Sequence, residues 1–195
     1  MKENFTEKDH KYFLDGTEIP SVTQVLQEAG LINLEWVDKE VLKAKALFGT
    51  KVHKTTELYD KGTLDIAELH PTLSGYLNGW VKFRNDYDFI PTYIEIMLFH
   101  KLYKFAGRID RVGCLGDDLA LVDIKSGTKQ KVSSIQTAGY ELLYNQDKTK
   151  KDQIKKRYLV YLNKDNYKVE ECKNINDKNI FLSALTITNY KRSVK

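Results

Sequence analysis

Residues 106–140 read AGRIDRVGCLGDDLALVDIKSGTKQKVSSIQTAGY, and this stretch decides the fold of the chain. The pattern predicts a strand, a tight turn, a second strand, a polar loop and a helix, because glycine and aspartate favour tight reversals. Side chains two residues apart on a strand project from the same face, so Asp123 and Lys125 project together, while Val122 and Ile124 face the other way into apolar packing. If the two strands pair across the turn, Asp110 lies beside Asp123.

Two carboxylates and an ammonium group within apolar strands require an explanation, because buried charges are costly unless they are paired or bind a metal. A salt bridge on the surface of a sheet is the ordinary interpretation of an Asp-x-Lys pair. A metal site is the alternative, since Mg²⁺ and Mn²⁺ prefer oxygen ligands and a nearby lysine can orient or deprotonate a water. The downstream Gln136 and Tyr140, four residues apart on a predicted helix, favour the metal site.

The ordered motifs of the chain resemble the nuclease core of the PD-(D/E)XK superfamily. These motifs are GRIDRV at 107–112, VDIKSG at 122–127 and Gln136-x-x-x-Tyr140. More narrowly, they are similar to the RecB-like exonuclease branch, which includes phage exonucleases and the mitochondrial genome-maintenance exonuclease. In that branch a histidine on an upstream helix completes the metal site, and FGTKVHKTTE at 48–57 supplies His53. The resemblance covers residues 20–144.

The resemblance implies a metal site with four contributors. Asp110, Asp123 and the backbone carbonyl of Ile124 would bind Mg²⁺ or Mn²⁺, and His53 would be a further ligand. A histidine on a helix is more often a packed or exposed residue, so the assignment of His53 depends on the downstream carboxylates. The number of metal ions, one or two, stays open.

The remaining site residues would act around the metal. Asp110 and Asp123 are thus predicted to be catalytic together with Lys125, which would position the attacking water, contact the scissile phosphate or act as a base. By resemblance, Gln136 and Tyr140 would point to the site and place the lysine or the nucleic-acid backbone.

Two glutamates are candidates for supporting that site. Glu57 lies four residues after His53 on the same predicted helix face, where it could bind the histidine or stay in solvent. Glu95 lies among apolar residues of the strand that precedes Asp110, and the resemblance suggests that it helps the site.

Four residues are candidate nucleic-acid contacts. Ser21 is predicted to cap a helix with Gln24 in a capping box, and the N–H groups there could also face a phosphate. Arg108 could contact phosphate or flank its strand. Lys129 and Lys131 lie in a polar loop, where they could contact the nucleic-acid backbone or remain solvated.

The composition of the chain indicates a globular protein. It has 195 residues, of which 42% are hydrophobic and 30% charged, and it carries a net charge of +4, so we predict a single nuclease domain over residues 1–195. Two cysteines are too few for the four-cysteine iron–sulfur cluster of some relatives. No apolar run approaches about 18 residues and no apolar signal segment opens the chain, which predicts a cytoplasmic protein without a membrane span.

The predicted fold class is α/β, with a restriction-endonuclease-like core in which a central mixed β-sheet is flanked by helices. The other predicted segments are a hairpin at 11–19, a helix from Ser21, helices at 34–47 and 50–61 separated by a break at 48–50, a helix at 73–86, a strand at 91–101, a helix capped by Ser133 or Ser134 and running to about Tyr144, a hairpin at 157–171, and a last helix at 178–191 capped by Asp177.

The predicted function is that of a metal-dependent DNA exonuclease, encoded by a bacterium or phage and acting on DNA ends or single strands in recombination or repair. A recombination or single-strand-binding protein is a candidate partner. An endonuclease of the same fold and a non-cleaving nucleic-acid-binding module are the alternatives. In an unrelated α/β protein, Asp110, Asp123 and His53 would be scattered in space.

Overall fold

The computed structural model describes residues 1–33 and 37–194. The strands are β1 (Glu3–Thr6), β2 (Lys11–Leu14), β3 (Thr17–Ile19), β4 (Phe89–His100), β5 (Phe105–Leu115), β6 (Asp118–Lys125), β7 (Lys156–Asn163) and β8 (Asn166–Glu171). The α-helices are α1 (Val22–Glu28), α2 (Lys39–Asp60), α3 (Pro71–Asp86), α4 (Ser133–Asn145) and α5 (Asp177–Ser193). A single 3₁₀ turn, Lys150–Asp152, lies in the predicted loop before β7.

A five-stranded mixed sheet in the order β4-β5-β6-β7-β8 forms the centre of the fold. Neighbouring strands are antiparallel except for β6 and β7, which are parallel. A parallel pair needs a crossover connection, and α4 lies in the connection between these two strands. The predicted α/β class with a restriction-endonuclease-like core is confirmed.

Helices cover both faces of this sheet. The side chains of β6 alternate between the two faces, so they enter two different buried clusters. Leu121 packs in a buried cluster with residues of α1, α4 and α5, whereas Val122 and Ile124 pack in another with Val52 of α2 and Trp80 of α3. The prediction that Val122 and Ile124 face apolar packing is therefore confirmed. None of the helices in the described part of the chain is long and apolar enough to cross a membrane.

The predicted N-terminal hairpin and the start of α1 are confirmed. β2 and β3 pair across a turn in which Asp15 and Gly16 have φ of +50° and +81°. The Ser21 hydroxyl accepts the Gln24 N–H at 3.2 Å, and the Gln24 side chain accepts the Ser21 N–H at 2.8 Å. This is the predicted capping box. The short polar strand β1, which pairs with β2, was not predicted.

The predicted break at 48–50 is wrong, because α2 continues from Lys39 to Asp60. Gly49 lies inside this helix, where an added Cβ would be 3.3 Å from the Ser126 hydroxyl. The glycine therefore permits close approach to the loop after β6 and does not end the helix. The predicted helical residues 34–36 lie outside the described residues, and α2 begins after Asp38, whose carboxylate accepts two N–H groups of the first turn.

Two predicted helix caps are also wrong. The residue before α4 is Val132, whose side chain has no hydrogen-bond acceptor, and Ser133 and Ser134 lie within the first turn. Asp177 is the first residue of α5, and its buried carboxylate lies 3.3 Å from an Arg157 nitrogen. The Asp177 carboxylate thus pairs with the buried Arg157 and does not cap the helix.

Gly79 holds α3 against the turn between β7 and β8. A Cβ at this position would collide with the backbone carbonyl of Asn166. We therefore expect Gly79→Ala to lower the free energy of unfolding by about 1–3 kcal/mol through overpacking, although alanine favours helix. Urea unfolding measures this change, with the exposed first-turn variant Thr72→Ala as control. Equal stability of the two variants would contradict the close contact.

Candidate active site

The hairpin of β5 and β6 opens at the end where the acidic residues lie. Ladder pairing extends from Leu115 opposite Asp118 to Arg111 opposite Val122. One position further on, the Asp110 carboxylate accepts the Ile124 N–H at 2.7 Å. The side chain thus takes the place of a strand–strand hydrogen bond, and it brings Asp110 next to the 123–125 segment.

Three candidate metal ligands from three different elements meet at this opening. His53 of α2, Glu95 of β4 and Asp110 of β5 offer ligand atoms that all lie within 4.8 Å of one another. His53 Nδ1 is 3.5 Å from Asp110 Oδ1 and 4.0 Å from Glu95 Oε1. Glu95, predicted only as support, therefore lies in the ligand cluster itself.

A buried arginine holds Glu95 in this cluster. Glu95 has the left-handed φ of +52°, which is uncommon for a residue with a side chain, and it lies opposite Asp110 between paired positions of β4 and β5. The Arg111 guanidinium donates to the Glu95 carboxylate at 3.1 Å and to the Asp110 carbonyl oxygen at 2.6 Å. These contacts hold the unusual backbone and direct the carboxylate to the site.

Arg111 is itself fixed by the far end of α2. Its Nε lies 2.6 Å from Asp60 Oδ2, and both side chains are fully buried. Asp60 also accepts hydrogen bonds from Arg84 at 2.6 Å and from the Trp80 indole at 3.0 Å. We call Asp60, Arg111 and Glu95 the buried clamp.

The buried clamp was not predicted, although one signal in the sequence pointed to it. His53 and Asp60 are seven residues apart and therefore share one helix face, which predicts that Asp60 is directed to the same interior.

Lys125 leads a hydrogen-bonded chain on the other side of the cluster. Its ammonium lies 2.8 Å from Asp123 Oδ2 and donates to the Gln136 side-chain oxygen at 2.8 Å. The Gln136 amide in turn donates to the Tyr140 hydroxyl at 3.1 Å and to the Thr23 hydroxyl at 3.2 Å. Gln136 and Tyr140 therefore reach the site from α4, and Thr23 of α1 joins them.

The electrostatics of the cluster reflect excess negative charge in a buried place. Burial and the charge of Asp110 raise the pKa of Glu95 to about 7. Burial, opposed by Lys125 and reinforced by Asp110, raises the pKa of Asp123 to about 6. Burial opposes protonation of His53, but Asp110 and Glu95 outweigh it and raise the pKa of His53 to about 9.

Asp110 and Lys125, which lie on either side of Asp123, keep their opposite charges. Burial opposes ionisation of Asp110, yet His53 and Lys125 together hold the pKa of this carboxyl below its usual value. Burial likewise opposes the charge of Lys125, but Asp123 and Asp110 raise the pKa of the ammonium above its usual value. In the metal-free protein Lys125 is therefore a cation at neutral pH.

The donor set fits a divalent cation. Carboxylate oxygens with one imidazole nitrogen suit hard or borderline cations such as Mg²⁺ and Mn²⁺. Asp123, predicted as a metal ligand, is not among the clustered ligand atoms, and its buried Oδ2 lies 2.8 Å from the Lys125 ammonium without forming a well-oriented hydrogen bond to any described residue. A buried carboxylate oxygen without a well-oriented hydrogen bond can still bind a cation.

Some predicted site residues lie elsewhere. The Glu57 carboxylate pairs with Lys54 at 3.0 Å and with Lys61 at 2.7 Å, and it is not among the clustered ligand atoms. Glu57 lies one helical turn from His53, as predicted. The two lysines lie equally close along the helix, and the carboxylate pairs with them instead. Lys129 pairs with Glu170 at 2.8 Å on the surface.

The other predicted nucleic-acid contacts divide between two places. Ser21 and Arg108 line one pocket beside Tyr140. Lys131 is exposed in the loop between β6 and α4.

Residues 34–188 match the model of the PD-(D/E)XK nuclease superfamily, which is most of the chain. The chain belongs to the PD-(D/E)XK nuclease superfamily, and with it to a class of nucleases that typically use divalent metals to hydrolyse nucleic acid. No curated protein matches the sequence significantly. Among solved structures that align with the chain is the crystal structure of SSO0001, with 16% sequence identity, 72% of this chain and 70% of that chain covered, and a TM-score of 0.40.

Proposed function

We propose that the chain is a Mg²⁺- or Mn²⁺-dependent exonuclease that hydrolyses DNA from ends or single strands and belongs to the RecB-like branch. One observation carries this proposal: the helical His53 lies 3.5 Å from Asp110 in the ligand cluster. A histidine on an upstream helix is the feature by which the sequence resembles that branch. On this proposal residues 1–195 act as one nuclease domain in the cytoplasm of a bacterium, encoded by it or by a phage.

The residues of the cluster divide into ligands and groups that act on the phosphate. His53, Glu95, Asp110 and Asp123, with the carbonyl of Ile124, would hold the cation. When bound, the cation would activate a water and neutralise charge that develops on the phosphate oxygens.

Lys125, held by Gln136, would place its ammonium against a non-bridging phosphate oxygen or the attacking water. Hydrolysis forms a new P–O bond to the water oxygen, which loses a proton, and breaks the P–O bond to one deoxyribose oxygen, which leaves as a hydroxyl after taking up a proton. Tyr140 and Thr23 would hold Gln136 in place, because both accept hydrogen bonds from its amide. The preorganised donors cost little reorganisation during the reaction.

End-labelled linear DNA and closed circles of the same sequence test the mode of cleavage. We expect metal-dependent release of short products from one end of the linear strand and no cleavage of the circle. Cleavage of the circle would make the chain an endonuclease. Binding of DNA without cleavage in either metal would overturn the proposed activity and leave a binding module.

Metal binding should be visible without any substrate, because a ligand that binds only the folded state stabilises it. We expect Mn²⁺ at about 100 times its dissociation constant to raise the unfolding temperature by about 5–10 °C. EDTA should reverse the shift. Asp110→Asn should abolish it, whereas the surface variant Asp118→Asn should keep it, and an equal shift in both variants would place the metal elsewhere.

The biological setting of the proposed activity is DNA recombination or repair, in which free ends and single strands arise. A recombination protein or a single-strand-binding protein is the expected partner, since either would supply such DNA. Co-purification of a stable complex with one of these proteins tests this assignment.

A further inference from the structure

A pocket of about 350 Å³ lies next to the candidate active site, between the N-terminal sheet, α1 and the start of β5. Its walls include His10, Tyr12, Thr23, Gln27, Arg108 and Tyr140. The pocket is built into the fold, because the Ala106 N–H donates to the Pro20 carbonyl at 2.9 Å and ties the chain before α1 to β5. Its size lies in the range of small-molecule sites.

The pocket wall is directly connected to Lys125. Thr23 and Tyr140 both line the pocket, and both hydroxyls accept hydrogen bonds from the Gln136 amide. The oxygen of the same Gln136 side chain accepts from the Lys125 ammonium. One side chain, Gln136, therefore joins the pocket wall to Lys125.

The lining combines one cation, aromatic rings and amide groups. The Arg108 guanidinium lies 5.3 Å from the Phe5 ring centre and, in the described part of the chain, forms no ion pair. The exposed His10 lies edge-on to Tyr12 at 5.6 Å between ring centres. Gln27 is also exposed at this pocket, where its amide can both donate and accept.

This mixture suits a nucleoside better than a bare phosphate. Asp9 also lines the pocket, and a carboxylate would repel an anion that filled it. The exposed ring of His10 can stack with a base of any sequence, and the Gln27 amide can pair with a base edge. A base within a duplex would have to leave its stack to enter a pocket of this kind, at a cost in pairing and stacking energy.

We infer that this pocket binds one unpaired nucleotide of the strand that is cleaved, next to the scissile phosphate. The inference rests on the proposed function and specifies its substrate: single strands or frayed ends. Single strands should bind more tightly than blunt duplexes of equal length.

Photo-crosslinking tests the occupant of the pocket directly. The full chain with Lys125→Ala, in which cleavage is expected to be slow, is irradiated in Mg²⁺ with single strands that carry 5-iodouracil at successive positions, and the crosslinked peptides are sequenced. We expect crosslinks at the exposed His10 from one substrate position only. Crosslinks confined to other parts of the chain would overturn the inference.

Binding of labelled oligonucleotides by the same Lys125→Ala chain gives a second test, independent of crosslinking. We expect Arg108→Ala to weaken single-strand binding about tenfold, and Gln27→Trp, which fills the pocket, to weaken it at least as much. Lys82→Ala, an equal change of charge on α3 across the sheet, should bind as the parent does.

The two hypotheses fail in different ways. Equal binding by all of these variants, or equal affinity of the parent for single strands and blunt duplexes, would overturn the pocket assignment. If the wild-type chain still cleaves DNA with metal, the proposed function survives that result. Absence of cleavage by the wild-type chain would overturn the proposed function, whatever the binding results.

Discussion

Replacement of Lys125 by alanine is expected to slow metal-dependent cleavage by about 10²–10⁴-fold, because the site loses a positioned cation at the reacting phosphate. The ammonium lies between Asp123 and Gln136 and is held by both. Single-turnover cleavage of a labelled single strand measures the loss at the chemical step. Lys125→Arg keeps the charge but not the compact ammonium, so we expect it to recover little activity.

The same variant separates chemistry from metal binding. Lys125 donates to Gln136 and is not one of the clustered ligands, so the Mn²⁺-induced rise in unfolding temperature should persist in Lys125→Ala. Asp110→Asn should lose both the cleavage and the thermal shift. Cleavage by Lys125→Ala within about threefold of the wild-type rate, far below the 10²-fold expected of a catalytic group, would contradict the assigned role.

Replacement of Arg111 by glutamine is expected to lower the free energy of unfolding by about 3–5 kcal/mol, since it breaks a fully buried ion pair and leaves Asp60 with less compensation. The variant should also weaken Mn²⁺ binding, because Glu95 loses the donor that directs it to the cluster. Chemical denaturation measures the first effect, and the metal-induced thermal shift measures the second.

Arg84 supplies a matched control for the buried clamp. Its guanidinium pairs with the same Asp60 at 2.6 Å, and none of its hydrogen bonds goes to Glu95. We therefore expect Arg84→Gln to lower stability but to keep the metal-induced shift. Arg111 also donates to the Thr56 hydroxyl at 3.2 Å. Arg111→Lys should recover part of the stability without restoring metal binding, because a single ammonium cannot contact Asp60, Thr56 and Glu95 together. Equal metal binding by Arg84→Gln and Arg111→Gln would contradict the positioning role.

The central sheet could be predicted from sequence because its signals are local. The alternation in 118–125 fixes which side chains face the core, and the turn at 115–118 fixes the register that brings Asp110 next to the 123–125 segment. The capping box at Ser21 is likewise a local pattern, and the structure has it. The roles assigned to the site residues stay predictions until they are tested.

The buried clamp could not be predicted in the same way, because it joins residues that are distant in sequence. Asp60 and Arg111 are paired only after α2 has packed on the sheet. The left-handed φ of Glu95 has no local signal either, since nothing in TYIEIM indicates an interruption of the strand. The break predicted at Gly49 failed for a related reason: the contact with Ser126 that the glycine permits is tertiary.

The position of Mn²⁺ in an anomalous difference map of metal-soaked crystals tests most directly whether this cluster is the catalytic metal site. We predict a peak within ligand distance of His53, Glu95, Asp110 and Asp123. The peak should be lost in crystals of Asp110→Asn. A peak elsewhere in the molecule, with no metal peak beside these side chains in crystals of active protein, would contradict the proposed site.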